Sequence, residues 1–92
     1  MEYVHCEVSE GPREGFKSIG IDSVEGYAEY LSIEEKFLVN NGQNWLLPVA
    51  VVGKDRDHGT SLVELPFEAD SGAKRVWVQS DMVTSNPREV LA

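Results

Sequence analysis

Short apolar runs, separated by turn residues, constrain the fold of this chain more than any other feature of its sequence. Apolar and polar residues alternate at 3–8, 61–67 and 75–79, which is typical of half-buried strands. Turns rich in polar residues and glycine lie between such runs, so a new strand is predicted roughly every 8–14 residues. This spacing favours a mostly β fold: a small antiparallel barrel or sandwich of about five to six strands, with at most one or two short helical turns.

The strongest local hairpin signal is Asn41-Gly42, because Asn-Gly suits the tight turns that connect antiparallel strands. The apolar run that follows, 45–52, is predicted to be a strand buried on both faces or nearly so. Pro48 lies inside this run and has no N–H group to donate to a ladder. We therefore expect Pro48 at a bulge or at a sheet edge.

Residues 23–31 leave two interpretations open. As a helix, the segment places four residues on one face at helical spacing: Val24, Tyr27, Ala28 and Leu31. Against a helix, Gly26 costs about 1 kcal/mol in a helix interior, and tyrosines favour strands. We favour a strand over 27–33, with a single helical turn before Phe37 as a further expectation.

Length and charge limit the classes of function. The 92 residues fit one domain over 1–84, followed by a flexible C-terminal tail at 85–92. The chain carries 8 basic and 16 acidic residues, so its net charge is 8 − 16 = −8. Such a chain repels phosphate groups, and we therefore expect neither nucleic acid nor a membrane surface as its partner.

A single cysteine, Cys6, excludes an internal disulfide and is consistent with a reducing compartment. The N-terminus has no basic region followed by an apolar stretch, and the chain has no apolar run long enough for a transmembrane helix. We therefore expect a cytoplasmic protein.

The order of elements from 19 to 83 resembles the small barrels of the Src-homology-three-like class. The resemblance rests on the turn NNGQNW at 40–45 and on RVWVQSDMV at 75–83, where a strand with an aromatic residue runs into a short helical turn. It implies a small antiparallel barrel. The Ala-Leu-Tyr start and the paired tryptophans of that class are absent, and Gln79 stands where its proline would be. The ligand groove of the peptide-binding members is therefore not carried over.

The loop between the last two predicted strands, 68–74, is too short for a helix between parallel strands, which needs about a dozen residues. It therefore predicts a hairpin with Gly72 at a positive φ and with only local hydrogen bonds from Ser71. No Gly-x-Ser-x-Gly motif surrounds Ser71, so no catalytic residue is predicted. The alternative is an anion-binding concavity formed by the backbone of Ser71 and Gly72 beside two cations, Lys74 and Arg75.

The patterns that suggest metal ligands do not complete a site. His5 and Cys6 are neighbours on a predicted strand, so their side chains point to opposite faces. The run DRDHG at 55–59 begins like a calcium-binding loop, but the positions for the fifth-place oxygen ligand, the glycine and the final glutamate hold Gly59, Thr60 and Pro66. We predict no metal and no cofactor.

Aromatic residues are the best candidates for a contact surface, because tryptophan and tyrosine are enriched at binding hot spots. Four of them lie in or beside predicted strands and are candidate partner-binding residues: Trp45, Trp77, Tyr27 and Tyr30. Together with the acidic surface, they favour a non-enzymatic domain that binds another protein. The alternative is a small-ligand or anion-binding domain, or a small enzyme subunit, that uses the Asp70–Arg75 loop.

Overall fold

The computed structural model describes residues 1–85 and confirms a mostly β fold. The predicted C-terminal tail, apart from Ser85, lies outside the described residues. Eight strands form one antiparallel sheet, and the only helical segments among the described residues are two 3-10 turns. The elements in chain order are β1 (Glu2–Glu10), β2 (Phe16–Asp22), β3 (Ala28–Glu34), a 3-10 turn (Glu35–Phe37), β4 (Val39–Asn40), β5 (Trp45–Asp55), β6 (Thr60–Glu64), β7 (Arg75–Gln79), a 3-10 turn (Ser80–Met82) and β8 (Val83–Thr84).

Two long strands curl the sheet into a barrel. The strand order is β3-β2-β1-β5-β6-β7, with β4 beside β5 and β8 beside β1. β1 pairs with β5 through its first half and with β2 through its second half. β5 likewise pairs first with β1 and then, from Ala50 onwards, with β6, and a bulge interrupts this second ladder between Val51 and Gly53. Because a bulge increases local twist and bends a strand, the sheet turns back on itself at this point.

The barrel is nearly closed along a seam between β3 and β7, the two ends of the strand order. No ladder joins these strands within residues 1–85, but two backbone hydrogen bonds span the seam. Val24 N donates to Trp77 O at 3.0 Å, and Asp70 N donates to Tyr30 O at 2.7 Å. Individual hydrogen bonds, rather than a continuous ladder, therefore join the two edges of the seam.

The core consists of the inward-facing residues of the alternating strands. Five of them have no exposed surface: Val4, Ile19, Leu47, Val63 and Val78. Burial of one such side chain contributes about 1.5–3 kcal/mol, so these residues supply much of the stability of a small domain. Leu46 and Leu47 are both buried although they are neighbours, but Ala50 and Val52 are exposed, so β5 is covered on both faces only at its start and not over the whole predicted range 45–52.

The structure settles the ambiguous segment in favour of a strand. β3 covers most of the predicted range, and the residues before it form a turn in which Ser23 N donates to Tyr27 O at 2.9 Å. Gly26 in this turn has φ +92°, a value that a helix does not allow. A single helical turn precedes β4. Among the described residues, Pro48 lies on a part of β5 that has no partner strand on one side, because the pairing with β4 reaches only Leu46 and the pairing with β6 starts at Ala50.

One strand is shorter than its pattern suggested. The alternation predicts a strand over 61–67, but β6 ends at Glu64 and Phe67 is exposed. Pro66 has no N–H group and cannot continue the ladder, so the chain leaves the sheet there. β6 and β7 pair as the predicted antiparallel hairpin, and Gly72 in the connecting loop has φ +90°.

Candidate functional site

The outer face of β5, β6 and β7 presents the indole ring of Trp77. Val76 and Val78 on either side of it are buried in the core, so Trp77 points outwards, as its alternation predicted. Trp77 lies directly opposite Leu62 on β6, and Leu62 lies opposite Gly53 on β5. A Cβ atom added at Gly53 would lie 3.9 Å from Trp77 Cη2, so the indole reaches across the sheet to this glycine.

A groove of about 430 Å³ borders this ring. We call it the Trp77 groove; it is lined by Val24, Asp55, His58, Thr60, Trp77 and Gln79. The sheet register places Asp55 opposite Thr60, and Thr60 opposite Gln79, so three strands contribute one polar row. Val24 comes from the β2–β3 turn on the far side of the seam, and its backbone bond to Trp77 O holds that turn beside the indole.

The charged group of the Trp77 groove is held by a tight turn. The Asp55 carboxylate contacts His58 twice: Oδ2 lies 2.8 Å from Nδ1, and Oδ1 accepts from the His58 backbone N–H at 3.3 Å. The side-chain hydrogen bond from His58 is the main reason why the pKa of Asp55 is lower than its ordinary value. Asp55 is therefore negatively charged at neutral pH, next to an aromatic ring and an amide side chain.

The four predicted partner-binding aromatic residues do not form one cluster. Tyr27 belongs to the same turn as Val24 and is exposed, so it lies on the Trp77 side of the molecule. Tyr30 is exposed on β3, where its ring covers Gly20. Trp45 begins β5, at the opposite end of that strand from Asp55, and packs against the core. The binding role of these residues stays a prediction.

A neighbouring carboxylate influences Tyr27. The Tyr27 hydroxyl donates a hydrogen bond to Glu25 Oε2 at 3.2 Å. The negative charge of Glu25 is the largest of the causes that raise the pKa of the Tyr27 phenol. Tyr27 therefore adds an aromatic ring, together with an acidic neighbour, to this side of the barrel.

The predicted anion-binding loop uses several of its donors internally. Gly72 N donates to Ala69 O at 2.8 Å, and Ala73 N donates to Ser71 Oγ at 3.2 Å. The Ser71 hydroxyl donates to Glu29 Oε1 at 2.7 Å, across the seam, so the expectation of purely local bonds for Ser71 is wrong. Lys74 and Arg75 are exposed beside this loop, and Arg75 lies opposite Glu64. The Gly72 N–H is therefore already used within the loop, and the anion-binding role of the loop stays a prediction.

Two features of the structure were not foreseen. Glu29 is only 7% exposed, and the available signal was the alternation that places it on the same strand face as Leu31 and Ile33. Phe37 and Phe67 are 45% and 51% exposed and contact each other edge to face, with ring centroids 6.5 Å apart. The available signal for Phe67 was Pro66. A proline at this position ends the strand, so the residue after it no longer has to point into the core.

His5 and Cys6 do not form a metal site in the described part of the chain, where no group of three or more potential ligands converges. Burial raises the pKa of the Cys6 thiol to about 12. Its Sγ lies 3.7 Å from Trp45 O, which accepts its weak hydrogen bond. Cys6 is therefore a protonated, partly buried thiol at neutral pH.

No protein-family model, curated protein or solved structure matches this chain. Within residues 1–85, no helix combines the length and the apolar character that are needed to cross a lipid bilayer.

Proposed function

We propose that this protein is a non-enzymatic protein-interaction module, built on a barrel of the Src-homology-three-like class and working in the cytoplasm. Its Trp77 groove binds a basic side chain, arginine or lysine, of a partner protein. The observation that carries the proposal is the pairing of an indole ring with an ionised carboxylate, Asp55, in one open groove.

The chemistry of this groove suits a cation. The face of a tryptophan ring attracts a guanidinium or ammonium group by about 0.5–1 kcal/mol at an exposed site. Asp55 offers a second attraction, although exposed ion pairs contribute only about 0–1 kcal/mol. The Gln79 side-chain amide adds a hydrogen-bond acceptor on the same face. These contributions are individually small, so the groove supports a transient contact rather than a permanent complex.

The charge of the whole chain acts in the same direction. A net charge of −8 attracts basic partners over distances of about a Debye length and raises their association rate. Tyr27, with its acidic neighbour Glu25, extends the binding face beyond the groove itself. A basic segment of a partner therefore meets both a long-range and a short-range attraction on this side of the barrel.

A titration followed by nuclear magnetic resonance tests the proposal. The full chain, labelled with nitrogen-15, is titrated with Ac-Gly-Arg-Gly-Arg-Gly-NH2 and with the matched peptide in which citrulline replaces arginine. We expect the arginine peptide to shift the Trp77 indole N–H and the amides of Asp55 and Gln79. The shifts should weaken with added salt and should be lost in Trp77→Leu but not in Trp45→Phe.

Two results would contradict this function. Equal shifts with the citrulline peptide would show that the groove does not recognise charge. Shifts of Ser71–Arg75 on addition of inorganic phosphate, with a silent Trp77, would instead favour the anion-binding alternative.

A further inference from the structure

The seam between β3 and β7 is open over part of its length. Toward the start of β3 it is fastened by two contacts, Asp70 N to Tyr30 O and Ser71 Oγ to Glu29 Oε1. Toward the end of β3 the contact between the Phe37 and Phe67 rings closes it again. From Tyr30 to Glu34 the strand extends about 13 Å, at about 3.3 Å per residue.

The backbone of β3 faces this opening with unused hydrogen-bonding groups. Alternate residues of a strand direct their N–H and C=O groups to the same edge. Tyr30 O points to the seam, because it accepts from Asp70 N there, so Ser32 and Glu34 point to the seam as well. Among the described residues, Ser32 has no backbone partner on this edge. An unpaired strand edge is a template for an added strand.

A groove of about 320 Å³ lies beside this edge. We call it the Phe groove; it is lined by Phe16, Ser32, Ile33, Glu34, Phe37 and Phe67. Its aromatic walls suit one apolar side chain of a bound segment. The edge and the groove together offer what strand addition needs, since backbone bonds supply affinity and a side-chain pocket supplies specificity.

Charges of both signs border the Phe groove, and its two cations are already engaged with the aromatic rings or with Glu34. Arg13 and Lys36 lie over the rings of Phe16 and Phe37, at 4.3 and 5.3 Å from the ring centroids. Lys36 also pairs with Glu34 at 3.3 Å. Glu68 and Asp70 lie in the loop between β6 and β7. Both are exposed, and neither forms an ion pair with the described residues. A lysine or arginine next to the apolar side chain of an occupant would meet these carboxylates.

We propose that the Phe groove and the free edge of β3 form a second binding site, which accepts an extended peptide of another protein as an added strand. The occupant pairs its backbone with Ser32 and Glu34, and packs one apolar side chain in the groove against the Phe37 and Phe67 rings. A basic residue flanks that side chain. This site is distinct from the Trp77 groove, and it does not depend on the function proposed for that groove.

A library of linear heptapeptides displayed on phage, selected against the full chain, supplies the probe. We expect enriched peptides that combine one large apolar residue with a neighbouring lysine or arginine. The best peptide is synthesised in two forms, unmodified and with N-methyl groups on alternate backbone amides. Because strand addition needs those amides, N-methylation should weaken binding by at least about tenfold, which corresponds to about 1.4 kcal/mol.

Three variants locate the site by calorimetric titration. Phe67→Ser removes one wall of the Phe groove and should weaken binding at least tenfold. Ser32→Pro removes the N–H on the free edge, where proline is tolerated, and should do the same. Ser32→Ala keeps that N–H group and is the matched control, expected to bind within about twofold of the natural chain. Trp77→Leu should also leave this peptide's affinity unchanged.

Slower hydrogen exchange at Ser32 and Glu34 in the complex gives an independent measurement on the unaltered chain. The proposal is overturned if no peptide is enriched. It is also overturned if the selected peptides bind equally well after N-methylation, or if Phe67→Ser and Trp77→Leu have the opposite effects. Because N-methylation alters only the peptide and not the protein, it tests the proposal even if a variant of the protein fails to fold.

Discussion

Replacing Ser71 by alanine tests the side-chain contact that fastens the seam. The Ser71 hydroxyl donates to Glu29 Oε1 at 2.7 Å, and Glu29 is almost fully buried. Hydrogen bonds to charged groups contribute about 1.5–3 kcal/mol, because a buried partner that is left alone keeps its desolvation cost. Ser71 itself lies at the surface, where water can partly replace it. We therefore expect Ser71→Ala to lower the free energy of unfolding by about 1.5 kcal/mol.

Urea unfolding, followed by tryptophan fluorescence, measures this change, and the denaturant slope should stay constant. For a domain of this size, each kcal/mol lost from the free energy of unfolding lowers the melting temperature by about 4–8 °C. Ser9→Ala is the matched control, since the Ser9 hydroxyl makes an exposed bond of 3.4 Å to Ser18 O. Its effect should stay within about 0.5 kcal/mol.

A double-mutant cycle with Glu29→Leu separates the bond from other effects of each substitution. If the two side chains interact as the structure shows, the coupling energy should lie between about 0.5 and 3 kcal/mol. A Ser71→Ala loss below 0.5 kcal/mol, or strictly additive effects in the cycle, would show that this contact does not stabilise the barrel.

Gly72→Val should lower the free energy of unfolding by about 1–2 kcal/mol, because φ is +90° at this position. Gly53→Ala should lower it by less, because φ is not positive at Gly53. Equal losses of unfolding free energy in urea would refute the role of φ. The Cys6 thiol has a pKa of about 12 in the folded chain against 9.0 ordinarily, so the unfolded chain loses this proton first as the pH rises. The stability of the natural chain relative to Cys6→Ala should therefore be constant below pH 9 and fall between about pH 9 and 12, by at most about 1.4 kcal/mol per pH unit; a difference that does not change with pH would contradict the burial. Since no potential metal cluster converges within residues 1–85, a chelator should leave the melting temperature unchanged, and a fall of many degrees would contradict this expectation.

Local pattern was sufficient for much of the fold. The alternation around Trp77 predicted both a strand and the outward direction of the indole, because a strand has a side-chain period of two. Asn41-Gly42 and Gly72 marked turns, and both glycines have a positive φ. These properties depend on a few neighbouring residues, which is why they are visible in the sequence.

The binding surfaces depended on the closure of the barrel. The Trp77 groove combines Val24, Asp55 and Gln79, which come from a turn and two different strands. The bond between Ser71 and Glu29 joins residues 42 positions apart, and nothing near either residue in the sequence indicates the other. Alternation limited the direction of each side chain, but only the curl of β1 and β5 decided which ends of the sheet would meet. The sequence by itself therefore determined most of the strands and turns and the net negative charge, and the tertiary structure decided the seam, because closure rests on long-range contacts that no local propensity encodes.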